Sequence, residues 1–146
     1  MNKPKINHLA VWVLVVVHQL IGALWYSPLL FANRWAALAQ LTAADFESSS
    51  SLPYFISLVG ALILIYVMAY IFKTLRVQSL PQGLLFGFLF WLGFLFTELL
   101  TYNAFELRPL GLALINGSKS LVTFLVTGAT LGAWRKYISL PKPVNH

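Results

Sequence analysis

The sequence predicts an all-α membrane protein: four transmembrane helices plus a short interfacial helix in the first external loop. Three observations carry this. The chain of 146 residues is 59% hydrophobic and only 10% charged, with a mean hydropathy of +0.77, whereas soluble domains carry about 25% charged residues. A soluble core of this length cannot hide so much apolar surface. Four apolar runs have close to the roughly 20 residues a bilayer crossing takes, or more, and the basic residues fall unevenly among the segments between them.

The predicted spans cover residues 8–26, 53–72, 83–102 and 110–134 of a single membrane domain running over residues 1–146. Ser27 and Pro28 end the first, and a longer loop with serines 48–51 follows. Residues 73–81 separate the second span from the third, and residues 103–109 the third from the fourth. Lys3 and Lys5 ahead of the apolar stretch 9–17 resemble the start of a signal peptide. However, His18 and Gln19 interrupt that stretch, and bulky Trp25 and Tyr26 stand where small cleavage-site residues belong. A retained helix is therefore expected.

Lys and Arg set the orientation. Lys3, Lys5, Lys73, Arg76, Arg135, Lys136 and Lys142 fall on one side, against Arg34 and Arg108 on the other, which also holds Asp45, Glu47 and Glu106. Both termini are expected to be cytoplasmic. Trp25, Tyr26, Trp35, Tyr54, Tyr102 and Trp134 lie near span ends, where aromatic belts form. The net charge of +6 fits anionic lipid headgroups better than nucleic acid, since no basic groove or recognition helix accompanies it.

Within residues 30–41, Leu30, Phe31, Trp35, Leu38 and Leu41 recur at helical spacing, with Asn33, Arg34 and Gln40 elsewhere. This predicts a short amphipathic helix on the membrane surface; the alternative is a continuation of the first span past Pro28. Thr42 and Asp45 have the spacing to cap a further short turn.

The helical faces point to candidate site residues. At about 100° per residue, Gly83, Gly87, Trp91, Phe94, Glu98, Thr101 and Tyr102 share one face of span three, and the first two form a GxxxG that favours close helix approach. On span four, Asn116, Lys119, Ser120, Thr123, Thr127 and Thr130 form a polar stripe. Gly117, Gly128 and Gly132 fall on an adjacent face, with a second GxxxG. The stripe reads either as a water-lined path or as hydroxyls bonded back to their own helix. Charges inside a bilayer are costly and usually paired. Glu98 and Lys119 lie at similar depth in consecutive spans, which predicts a Glu98–Lys119 ion pair. His18 shares a face with Gly22 and Trp25 and is expected to look inward, as a packing residue or a proton relay.

No GxSxG, P-loop, HExxH or paired-carboxylate motif is present, so no catalytic residue is assigned. The absence of cysteine excludes disulfides, thiolate metal sites and cysteine nucleophiles. No cofactor is expected, and no metal, because His18 and Glu98 do not make a ligand set.

The segment Trp25-Tyr26-Ser27-Pro28-Leu29-Leu30-Phe31 with Trp35, then Trp91-Leu92-Gly93-Phe94 with Thr97, Phe105-Glu106 with Arg108-Pro109, Ile115-Asn116, and Gly128-Ala129 with Leu131, Gly132 and Trp134, resembles in order the pattern of a family of small bacterial membrane proteins catalogued as domain of unknown function 1761. The resemblance implies a four-span integral membrane protein of unassigned activity, and the expected location is the inner (plasma) membrane. It makes Trp25, Tyr26, Ser27, Pro28, Trp91, Gly93, Glu106 and Arg108 motif residues, and it supplies no catalytic residues. The pattern does not demand a charge at Glu98 or Lys119.

Two function classes follow from the residues. One is transport or permeation of a small solute or ion by a homo-oligomer, with His18, Glu98, Asn116 and Lys119 as binding or translocation candidates. The other is a non-transporting binding or scaffold protein that associates through its GxxxG faces. An enzyme acting on lipid is disfavoured because no nucleophile or metal set is evident.

Overall fold

The computed structural model describes residues 2–139; Lys142, counted above among the tail charges, lies outside them. The elements run β1 (Asn2–Lys5), α1 (His8–Trp25), α2 (Ala32–Ala39), α3 (Ala43–Glu47), α4 (Leu52–Thr74), α5 (Leu80–Phe90), a π-helical segment (Trp91–Phe96), α6 (Thr97–Phe105), α7 (Leu110–Ala133) and β2 (Lys136–Ser139). Four helices are long and apolar enough to span a membrane: α1, α4, α7 and the continuous helix Leu80–Phe105. Each of the four predicted spans thus coincides with one of these helices, with small shifts at the ends. Two shifts come from proline. Pro53 and Pro81 lie in the first turns of α4 and α5, where a missing N–H costs nothing. These helices therefore begin a little earlier than the apolar runs suggest.

The helix α7 is the hub and touches α1, α2, α4, α5, the π segment and α6. The closest approach is between α5 and α7, and it is built on glycine. A Cβ on Gly87 would stand 2.5 Å from the Phe124 carbonyl oxygen, and one on Gly132 2.5 Å from that of Ser79; Gly83 and Gly128 face each other's carbonyls more closely still. The two GxxxG motifs therefore pack against each other inside one chain, antiparallel, backbone on backbone. On the other side of α7, Val11, Leu14 and Val15 of α1 join Ala61, Ile65, Met68 and Phe72 of α4 in the core.

Three helices end in the same way. Gln40, Arg76 and Leu107 have φ of 57°, 53° and 54°. After each, the chain closes a six-to-one bond: Leu41 N to Ala36 O at 2.9 Å, Val77 N to Phe72 O at 3.0 Å and Arg108 N to Asn103 O at 2.9 Å. This is the Schellman end, whose left-handed position glycine usually fills. No glycine marks it here, so the sequence hid these stops. Gln40 is exposed, and Gln40→Gly removes only the left-handed penalty. It is expected to stabilise the fold by roughly 0.5–1 kcal/mol, read as a raised thermal midpoint in detergent.

The loop helix predicted for residues 30–41 is found as α2, separated from α1 by a turn rather than continuing it. Thr42 and Asp45 do cap the next turn. The Asp45 carboxylate accepts from the Thr42 amide at 2.7 Å and its hydroxyl at 2.6 Å, and these bonds hold the carboxyl below its ordinary value.

The tails were expected only as charged segments. Instead β1 and β2 pair antiparallel, Asn2 opposite Ser139 and Lys5 opposite Lys136. Asn7 reinforces this junction: its side-chain Oδ1 accepts from Ala10 N at 3.4 Å, and its Nδ2 donates to Trp134 O at 3.3 Å. The start of α1 and the end of α7 are thereby tied together at one end of the bundle, the strand end. The opposite end carries α2 and α3.

Candidate functional site

The site is at the α2 end, and α7 residues 115–120 form its spine. Trp25, at the end of α1, donates from its indole nitrogen to Ile115 O at 3.1 Å, and the Tyr26 hydroxyl donates to Asn116 Oδ1 at 2.8 Å. The Ser27 hydroxyl bonds back to Leu24 O at 2.7 Å, and exposed Pro28 prevents the helix from continuing. Trp25 then packs on Phe31 with ring centroids 5.1 Å apart, Tyr26 on Trp35 at 5.0 Å. Leu38 of α2 closes over Gly111 at the start of α7. The Trp-Tyr-Ser-Pro motif is thus a corner that ends one helix, anchors it to α7 and seats α2.

From the other side, Trp91 donates to Gly117 O at 2.9 Å and to Ser120 Oγ at 3.2 Å. Its ring stacks on Phe96 at 4.5 Å and 19°. Phe96 in turn fills the space beside Gly117, where a Cβ would be 2.5 Å from its ring. Gly93, in contrast, has nothing within 4 Å of a Cβ, so packing does not explain glycine there.

The π segment between Trp91 and Phe96 corrects the reading of span three. A π-helical segment accommodates an extra residue relative to α-helical winding and rotates everything beyond it. Gly83, Gly87 and Trp91 are buried as predicted. Beyond them the buried face moves on by about one position, so that Phe94, Glu98, Thr101 and Tyr102 are exposed and Asn103 is buried. Glu98 therefore does not lie on the packing face.

The expected Glu98–Lys119 ion pair is absent as well. Among the described residues the one ion pair is Arg108 Nε to Glu106 Oε2, at 2.6 Å across the exposed turn after α6; at the surface such a pair contributes about 0–1 kcal/mol. Lys119 turns the other way. Its Cε lies 3.7 Å from where a Cβ on Gly22 would be, so its stem runs along α1, on the face that also carries half-buried His18. That face looks inward, as expected. One step round α1, Gln19 Oε1 accepts from the Ser57 hydroxyl of α4 at 3.2 Å. His18 Nδ1 and Gln19 Nε2 are buried with no partner among the described residues.

In the polar stripe of α7, Ser120 and Thr123 are bonded back to their own helix. Ser120 donates to Asn116 O and Gly117 O, Thr123 donates to Ser120 O, and Thr123 and Thr127 are buried. What is open is a groove of about 370 Å³ between α6 and α7, lined by Glu98, Tyr102, Asn103, Glu106, Arg108 and Asn116 among others. It brings together Glu98, Asn116, Glu106 and Arg108 from the sequence-based candidates and adds Asn103. Buried Asn103 leaves its Nδ2 without a partner among the described residues. The apolar run ends before it, which places it in the 103–109 connection by sequence, whereas α6 continues to Phe105 and the shifted face buries it. Asn116 joins the two polar regions, lining the groove while its oxygen holds Tyr26 of α1. His18 and Lys119 stand apart from the groove, between α1 and α7. Among the described residues no cluster of His, Asp and Glu has a metal-binding arrangement.

No curated protein and no solved structure matches the chain. Residues 9–132 match the family described as protein of unknown function (DUF1761). That match runs from the first turns of α1 almost to the end of α7 and includes the corner, the Trp91 anchor and the groove, so the chain belongs to the DUF1761 family.

Proposed function

We propose that the protein works as a small transport or permeation protein, a homo-oligomer in the inner (plasma) membrane, that takes a small cationic solute or ion into the α6–α7 groove. The observation that carries this reading is Glu98. It is an exposed carboxylate in a span-length apolar helix, it opens on a groove, and it has no cationic partner among the described residues. An ionisable group held there at a cost of roughly 2.5–3.5 kcal/mol is by default a functional group.

In this reading Glu98 supplies the charge that attracts the cation, and the amides of Asn103 and Asn116 replace part of its hydration. Lys119 and His18 line the polar layer between α1 and α7 that Asn116 connects to the groove. Oligomerisation follows from size, since four spans enclose little space. With Lys5, Lys73, Arg76, Arg135 and Lys136 at the strand end, the excess of basic residues supports cytoplasmic termini and an external groove. On that orientation α2 lies at the outer surface, with half-buried Leu38 inward and exposed Arg34 outward. The alternative, a scaffold associating through its GxxxG faces, draws less support, because both faces are occupied within the chain.

The test is flux in proteoliposomes with potassium, protons and ethidium as probes. At least one is expected to pass, and Glu98→Gln is expected to abolish its flux while leaving the thermal midpoint within a few degrees of wild type. No flux of any probe, or flux unaffected by Glu98→Gln, overturns the reading.

A further inference from the structure

We propose that the basic cavity at the strand end is a binding site for a phosphate group, presented by the headgroup of an anionic phospholipid. This site is at the opposite end from the groove and does not depend on the function proposed for it.

Four cations from three distant parts of the chain line one cavity: Lys5 of β1, Lys73 in the last turn of α4, and Arg135 and Lys136 after α7. No acidic residue lines it. All four acids of the chain, Asp45, Glu47, Glu98 and Glu106, belong to α3, α6 and the turn after it, towards the other end. Among the described residues the cations thus have no carboxylate to neutralise them. Helix ends account for part of this, since the carbonyl ends of α4 and α7 favour nearby positive charge. They do not account for the convergence of the terminal segments, whose pairing carries Lys5 to a position opposite Lys136.

Arg135 is held in place for recognition. Its Nε donates to Gly132 O at 2.9 Å and its Nη1 to Tyr137 Oη at 3.2 Å, and Nη2 makes no bond among the described residues. A fixed guanidinium with a free donor beside flexible lysines suits phosphate oxygens.

Size selects the kind of occupant. The cavity measures about 40 Å³, against roughly 10–15 Å³ for one ordered water. It takes the few oxygens of a phosphate, not a whole solute. Its floor is apolar, with Phe72 and Leu131, and it opens where the apolar runs of α4 and α7 stop. That is the level of lipid headgroups, where basic pockets between spanning helices bind anionic lipid.

The test uses the full chain in neutral detergent. Phosphatidylglycerol, phosphatidylcholine and inorganic phosphate are added separately, and thermal midpoint and lipid retention by native mass spectrometry are read. Phosphatidylglycerol is expected to raise the midpoint and stay bound, and phosphatidylcholine to do neither. Replacing exposed Lys73 and Lys136 together by Gln is expected to weaken phosphatidylglycerol roughly thirtyfold. Arg76→Gln removes a charge at the same end but outside the lining, and is expected to leave binding within about twofold. Lys73→Arg keeps the charge and is expected to keep the binding, which separates loss of the site from loss of the fold. An equal shift with millimolar inorganic phosphate, lost in the double variant, supports the phosphate site but makes a soluble phosphate its source. Absence of any shift with either phosphate compound, or equal weakening by Arg76→Gln, overturns the proposal.

Discussion

Gly83→Ala is expected to destroy the α5–α7 contact and to cost at least about 3 kcal/mol, read as a collapse of the thermal midpoint or of the helical signal in a denaturing-detergent titration. The added methyl would fall within the Gly128 carbonyl, and the neighbouring atoms, Gly128 C and Gly132 Cα, are also backbone. No rotamer can relieve such a clash, so the helices must separate along their length. In lipid this loss is not softened by hydrophobic association, because helix pairing there depends on close packing and hydrogen bonds. Gly128→Ala is expected to do the same, since it meets the Gly83 carbonyl from the other side. Gly60→Ala is the control: nothing lies within 4 Å of its Cβ, and no loss is expected. Equal behaviour of Gly83→Ala and Gly60→Ala would show that the two motifs do not meet.

Trp91→Ala is expected to cost about 3 kcal/mol from the cavity and lost packing alone. Trp91 is 8% exposed, and its indole also makes the two bonds to α7 that hold the π segment. Trp91→Phe keeps much of the ring packing but removes the donor, and is expected to lose about 1 kcal/mol. The larger consequence is positional. Trp91 is the last residue of span three in phase with Gly83 and Gly87. Without its anchor, the segment from Trp91 to Phe96 is free to return to α-helical winding. Glu98 would then rotate towards α7, and Asn103 would leave its buried position. A cysteine at position 98 would report this: accessible to a water-soluble thiol reagent in the otherwise wild-type chain, and protected when combined with Trp91→Ala. Unchanged accessibility would mean that the π winding does not depend on Trp91.

Much of the architecture was legible because lipid imposes a simple rule. A spanning segment must satisfy its own backbone and present apolar side chains over about 20 residues, so four spans could be read from four runs. Ser27 and Pro28 showed where α1 stops, and Thr42 with Asp45 showed where α3 starts, since caps and proline act within a few residues of themselves. The inward face of α1 was legible too, because its winding is regular from His18 to Trp25.

Regular winding failed in the third span. One π segment turned a correct phase at Trp91 into an incorrect one at Glu98, and with it went the ion pair. The three Schellman ends were hidden for a similar reason: Gln40, Arg76 and Leu107 take a conformation that their residue types do not announce. The pairing of β1 with β2 was beyond reach as well, since nothing local relates residues 2–5 to residues 136–139.

The sequence by itself determined the class of molecule, the number of spans and the residues available for recognition, because these depend on composition and on interactions a few residues long. Only the tertiary structure decided which of those residues meet. It spent both glycine motifs on one internal contact, sent Lys119 to α1 instead of Glu98, turned Glu98 and Asn103 about a groove, and gathered Lys5, Lys73, Arg135 and Lys136 around one cavity. Such meetings depend on helix phase and on contacts between distant segments, and a single inserted residue is enough to change them.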